Sequence, residues 1–319
     1  MSNNSINIAQ ASVLLPHTID ASSIKNGTTI PEVDTGAGEV AWSSTTAYAG
    51  IENNISHGGR LWASIAPSTN VVPGTNPAKW RTSGPSNRMA PFDGKISTRA
   101  TRAGELTYVL VLPAIYNGLA LYGLQGDMLQ VIHKTAPGGD VLMDWSGGLY
   151  EQPFGLFEYL FYPQAPLTQK AFSDLDMAPG GELTIRITSA GDAPCSLGMA
   201  ALGVWVPLLG STQERVQGVE YGASATIKTY SYIKTDEDGS TTIVPRASAT
   251  NVECSAYLGS DQANYTADVL RRIAAQPVAV VISGLPRYEY LNTFGLVSGS
   301  LEAATLPLAR LSLSVKGFI

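Results

Sequence analysis

The runs LTYVLVL (residues 106–112), GLALYGL (118–124) and MLQVIH (128–133), followed by LTIRIT (183–188) and CSLGMAALGVWV (195–206), decide the fold of this chain. Each is a short apolar or alternating run, and the breaks between them are turns such as APGGD at 136–140 and APGGE at 178–182. Runs of this kind between Gly and Pro punctuation read as strands. Several of them, with no long helical period, predict an antiparallel β-sandwich that is jelly-roll-like over residues 95–207. GVWVP at 203–207 closes it, and Pro207 with Gly210 marks the expected boundary. Within this unit the stretch 145–162 concentrates Trp145, Tyr150, Phe154, Phe157, Tyr159, Phe161 and Tyr162. So many rings imply a large apolar surface, either folded across the sandwich or presented to a partner.

Beyond the boundary, residues 208–319 have a different character. Residues 228–234 alternate, DEDGS at 236–240 makes a tight polar turn into 241–245, and 252–258 reads as a further strand. From Asp261 a helical signal appears, with Tyr265, Val269 and Ile273 at four-residue spacing and Leu270 adjacent; Pro277 stops it. The apolar run 278–282 is a buried strand, and the end of the sequence, RLSLSVKGFI, has a period of two up to Ile319. Together these predict a small α+β domain. DEDGS has the oxygen-rich spacing of a calcium loop but lacks the remaining ligand positions of an EF-hand, so a solvated hairpin tip is expected and no metal.

Composition narrows the function classes. The chain has 319 residues, 44% hydrophobic and 14% charged, with a net charge of -6 and a pI near 5.1. A solvated surface carries about 25–35% charged residues, so much of this one is neutral and polar or covered by other subunits. No basic cluster offers a footprint for nucleic acid. No run reaches the roughly 18 apolar residues that span a bilayer, and MSNNSIN at 1–7 has neither the basic nor the apolar part of a secretory signal. Synthesis in a cytoplasm without membrane insertion is expected. Cys195 and Cys254 make neither a disulfide framework nor a zinc site and read as small buried hydrophobes. His17, His57 and His133 sit in no catalytic motif, and no phosphate-cradling glycine loop is present, so neither an enzyme nor a cofactor is expected.

Residues 1–41 hold short β-like runs broken by Pro and Gly and read as an extended N-terminal arm that docks on a neighbour's sheet. Residues 42–94 follow, rich in Gly, Pro, Ser, Thr and Asn and holding Trp42, Trp62 and Trp80 of the five tryptophans. Such a segment is built from short extended pieces, and its aromatics either supply a miniature core or face outward as a platform.

Trp42, Tyr48, Gly50, Ile55, Gly59, Trp62, the proline-bearing loop ending at Asn76-Pro77 and the closing Trp80 give residues 42–82 a pattern that resembles the small chitin-binding family. That family occurs in bacterial polysaccharide-degrading enzymes and as a module of phage tail proteins. The resemblance implies a tiny three-stranded fold whose exposed aromatics stack on sugar rings, with Tyr48, Trp62 and Trp80 as the contact residues. One position departs from the pattern, since Ile51 stands after Gly50 and the acid comes next as Glu52. The connector GPSNRMAPFDG at 84–94, with Asn87, Arg88 and Asp93, resembles a pattern of tailed-phage structural proteins just before a β-sandwich. Asn87 and Arg88 join the candidate partner contacts, although ordering of the loop through backbone bonds is the plainer role. The fold expected is mainly β: arm (1–41), small module and connector (42–94), β-sandwich (95–207) and α+β domain (208–319). The function expected is that of a virion structural protein in the tail, baseplate or fibre-attachment region, binding copies of itself and other tail proteins, and in a hybrid case a host surface glycan. The alternative is a carbohydrate-binding module protein of a polysaccharide-acting system.

Overall fold

A computed structural model describes residues 11–318 except 152, 154, 174, 210–217, 236, 246, 284–287 and 306. The segment 1–7, Phe154, Gly210, Asp236 and Ile319 lie outside the described residues. The fold is mainly β. Glu105–Val111, Met128–Lys134, Val141–Gly148 and Glu182–Thr188 form one antiparallel sheet, in the order 141–148, 128–134, 182–188, 105–111. Side chains alternate across a strand. Leu106, Tyr108, Leu110, Leu129, Val131, Leu183, Ile185 and Ile187 therefore share one face and meet Leu119, Leu121, Phe172, Ala200 and Leu202 of a second sheet. Full burial of each such side chain stabilises by about 1.5–3 kcal/mol. Between strands the chain repeatedly crosses from one sheet to the other, which closes the sandwich over this shared core.

The second sheet extends far beyond the sandwich. Its ten strands run Gln169–Phe172, Gly118–Tyr122, Met199–Pro207, Ser12–Pro16, Val278–Val281, Thr293–Thr305, Leu308–Gly317 and Ser248–Gly259; Gly218–Val219 and Ser224–Thr229 both pair with the last of these. Within the segment expected as an extended arm, Ser12–Pro16 thus supplies a central strand of this chain's own sheet, with Val13 and Leu14 fully buried. The reason lies in SVLLP, which is apolar on both faces: Leu14 packs with Ala201, Trp205 and Val281, and Val13 with Val206 and Val280. Residues on either side of the expected boundary at 207 share one hydrogen-bonded sheet through this strand.

Residues 25–29 of this segment also bond to the chain's own sandwich. Lys25 and Thr29 N–H groups donate to the Val109 and Thr107 carbonyls, and the Val109 and Thr107 N–H groups donate to the hydroxyls of Thr28 and Thr29. These bonds cover the open edge of strand Glu105–Val111, which would otherwise offer itself to foreign strands. On the C-terminal part of the large sheet lies the helix Ala263–Ile273, which buries Thr266, Val269 and Ile273 and ends in Arg271 and Arg272, cations suited to a helix C-terminus. Tyr265 stays 45% exposed, one position off the buried stripe. No helix among the described residues is long and apolar enough to cross a membrane.

His133 is expected to give the sandwich a pH dependence. It is wholly buried, its Nε2 lies 3.1 Å from the Tyr116 hydroxyl, and its Nδ1 has no partner among the described residues. Burial pushes its pKa below the usual 6.5, against an opposing pull from Asp176. A base whose folded-state pKa is depressed stabilises the fold while neutral, so the contribution is complete above 6.5 and lost as pH falls. The melting temperature is expected to drop between about pH 7.5 and about pH 5, and to drop less in His133→Gln. An equal drop in both proteins would remove His133 as the cause.

Among the described residues, two elements stand out by their exposed apolar side chains. The helix Leu156–Phe161 stands out from the sandwich with Leu156, Phe157, Tyr159, Leu160, Phe161 and the following Tyr162 each 59–73% exposed. At the far end of the large sheet, strands Ser224–Thr229 and Ser248–Gly259 continue outward as a ribbon, Tyr232–Thr235 paired with Thr241–Val244, whose eight residues are all exposed.

Candidate functional site

The small module is built on two tight devices. Gly58 and Gly59, at φ 60° and 74°, form a two-residue turn that reverses Ile55–His57 into Arg60–Ser64; only a primed turn needs positive φ at both positions. Asn76 then shapes the proline loop: its side-chain oxygen accepts from Ala78 N–H, and its carbonyl accepts from Lys79 and Trp80 N–H groups. This delivers Trp80 into the strand Trp80–Pro85, which pairs with Arg60–Ser64. The three antiparallel strands are joined by a parallel fourth, Val40–Ala41, against Ile55–His57.

Tyr48 and Trp80 face inward, at 5% and 2% exposure, and with Ile55 they are the buried core of the module. Their rings meet edge to face at 4.9 Å, the Trp80 indole N–H donates to the Val71 carbonyl, and the Tyr48 hydroxyl accepts from Ser43 N–H. The large rings are needed here because a segment so rich in small polar residues has little else to bury. Trp62 and Trp42 are half-buried beside this core. The Trp62 indole N–H donates to the His57 carbonyl, while Trp42 lies edge-on to the His57 ring at 5.1 Å. Around them Ile51, Val40 and Ile65 are exposed. Trp42 and Trp62 are thus the partly exposed tryptophans of the module.

Glu52, one position later than the family pattern has its acid, folds its carboxylate back over the preceding loop. It accepts from the N–H groups of Ala49 at 2.6 Å, Gly50 at 3.0 Å and Ile51 at 3.1 Å. These bonds, the one from Ala49 foremost, pull its pKa down to about 2. The stabilisation is present above the unfolded value of 4.5 and lost as pH falls towards about 2. The displaced acid thus closes the loop.

Asn87 and Arg88 sit apart from this core, at the junction with the sandwich. Asn87 Nδ2 donates to Asp34 Oδ2 at 2.6 Å and to the Thr101 carbonyl at 3.2 Å, and its Oδ1 accepts from Thr101 N–H at 3.1 Å. Its backbone N–H donates to the buried Glu39 carboxylate at 2.6 Å. Arg88 offers its carbonyl to the Tyr108 hydroxyl at 3.1 Å, while Phe92 packs edge-on to the Tyr108 ring. Asn87 thereby ties arm, module and sandwich together. The sequence pattern points to neither Asp34 nor Glu39, which do as much at this junction; the only local signal is Asp34 ahead of ThrGly, where it caps a turn. Asn87→Ala removes three bonds, one to a carboxylate, and leaves the exposed Thr101 backbone groups to water. A loss of about 2–4 kcal/mol is expected by urea denaturation. A loss below about 1 kcal/mol, the net worth of a single hydrogen bond, would contradict the junction role.

Chemically the module is a self-bonded unit around a small aromatic core. Among the described residues no group of three or more His, Cys, Asp or Glu could hold a metal ion. Both cysteines are buried and unbridged, Cys195 against the Gly104 carbonyl in the sandwich and Cys254 in the C-terminal core, where burial pushes its thiol up to about 11. No protein-family model, curated protein or solved structure matches this chain.

Proposed function

We propose that this chain is a structural subunit of a tailed-phage virion, in the tail, baseplate or fibre-attachment region, that works by assembling with copies of itself and with neighbouring tail proteins. The observation that carries this is the exposed run Leu156, Phe157, Tyr159, Leu160, Phe161 and Tyr162. Monomers rarely leave contiguous apolar patches above a few hundred Å² in water. The small share of charged residues, 14%, suits a surface that is largely covered in an assembly. The aromatic module and the Asn87-Arg88 connector, set ahead of a β-sandwich, support the placement in a tail. No catalytic role is assigned to any residue.

Mass spectrometry of purified virions, with copy number per particle, tests this. The chain is expected at a copy number matching ring or threefold symmetry; absence from virions would overturn the placement. A second reading, a glycan contact on the Trp42–Trp62 side, is favoured by the partial exposure of these two rings, since an aromatic face matches the apolar face of a sugar. Titration with chitin oligomers and host surface polysaccharide is then expected to shift tryptophan fluorescence. No shift at millimolar sugar, in the free and the assembled protein, would remove it.

A further inference from the structure

Past the bond from Tyr230 N–H to the Ala247 carbonyl, the two strands of the outer ribbon pair only with each other among the described residues. Ile233 lies opposite Ile243, at 62% and 61% exposure, and Tyr232 opposite Val244, at 53% and 45%. Neighbouring residues of a strand point to opposite faces, so the ribbon is apolar on both. A two-stranded ribbon with no third layer is marginally stable in water, and this one needs cover on both sides.

The helix Leu156–Phe161 has the complementary need. Its sequence LFEYLF is apolar all round but for Glu158, and Phe157 stacks against Phe161 at 4.8 Å to make a protruding knob. Six side chains at 59–73% exposure, each offering about 200 Å², present on the order of 800 Å², the area one partner contributes to a stable interface. The charges around the two elements differ in sign. Residues 141–168 carry Asp144, Glu151 and Glu158 and no basic residue, the nearby Lys170 being held over the Trp145 ring at 5.2 Å, whereas the outgoing ribbon strand, 224–235, carries Lys228 and Lys234 and no acid. The tip sequence beyond the apolar pairs, DEDGS at 236–240, holds three acids.

We propose that the ribbon of one copy of this chain docks by its stem on the aromatic helix of a second copy. Pairing helix with helix would bring acid to acid, whereas helix against ribbon stem sets opposite charges beside matching apolar faces and covers both elements in one contact. The contact is heterologous, so repetition closes a ring or extends a filament. The proposal specifies the surface used in the self-assembly proposed above.

Sedimentation and native mass spectrometry of the full chain at micromolar concentration test it. The chain is expected to self-associate, and Ile233→Glu and Phe157→Glu each to weaken association about tenfold or more with unchanged circular dichroism. Lys228→Glu and Glu158→Lys should each weaken it several-fold, and the double variant should recover it. In a mixture of Ile233→Cys and Phe157→Cys proteins, oxidation should link the two variants to each other. No association of the unaltered chain, no recovery in the double variant, or links within each variant only would each overturn the proposal. Self-association through these residues in a protein absent from virions would uphold it while overturning the virion assignment.

Discussion

Trp80→Ala should unfold the small module while leaving the ten-stranded sheet intact. The buried core of the module is Tyr48, Ile55 and Trp80, flanked by Trp42, Trp62 and Val71. Removing a buried indole costs about 3–5 kcal/mol where the surroundings cannot collapse into the space. Here the ring also makes the edge contact with Tyr48 and the bond to Val71 that fixes the proline loop. A core this small has no reserve to set against such a loss. The sandwich core draws on none of these residues. Hydrogen exchange should therefore show the amides of 55–64 and 80–85 opening while those of 105–111 and 182–188 keep their protection. Unchanged protection in the module would mean that its stability comes from docking on the sandwich and not from its own core.

Gly203→Val should have the largest effect on the chain as a whole. Gly203 lies in the strand that joins the sandwich to the N-terminal strand, opposite Pro16 on one side and Gly118 on the other. A Cβ there would stand 2.0 Å from the Leu15 carbonyl oxygen and 2.9 Å from the Pro16 Cα. The obstacle is backbone, so no rotamer change relieves it, and the two strands must part. Overpacking costs about 1–3 kcal/mol where side chains can yield; about 3 kcal/mol or more is expected here, with Gly203→Ala showing the same defect in milder form. The recovery of folded protein, followed by gel filtration and near-ultraviolet circular dichroism, measures it. A native spectrum in Gly203→Val would mean that this pairing tolerates displacement.

The sandwich was legible because its strands bury one face and alternate: the expected runs 106–112, 128–133 and 183–188 fall within a residue of Glu105–Val111, Met128–Lys134 and Glu182–Thr188. Strand Thr293–Thr305 gave no such signal, since Gly295 and Gly299 thin out the face that bears Val297 and Leu301, where Leu270 of the helix comes against Gly299, and Ser298 and Ser300 fall on the other face. Strand Val141–Gly148 was hidden by the aromatics that follow it. The central position of Ser12–Pro16 could not be read locally, because its partners lie more than half the chain away. Its one clue was an apolar run with no polar face. In the module, aromatic spacing told which residues matter but not which way they point. Burial of Tyr48 and Trp80 depends on the turn at Gly58-Gly59 and the Asn76 loop, whose geometry emerges only when the strands pair.

The central place of strand Ser12–Pro16 also sets a timetable. It leaves the ribosome well before the strands it pairs with, at 203–207 and 280–281. At about 5–20 residues per second of synthesis, it waits many seconds for the first partner and longer for the second. Closing such distant pairs is slow, and a short strand apolar on both faces spends that interval without cover. Nascent chains released before residue 281 should leave the strand half paired, which makes chaperone dependence during translation a built-in property of this topology.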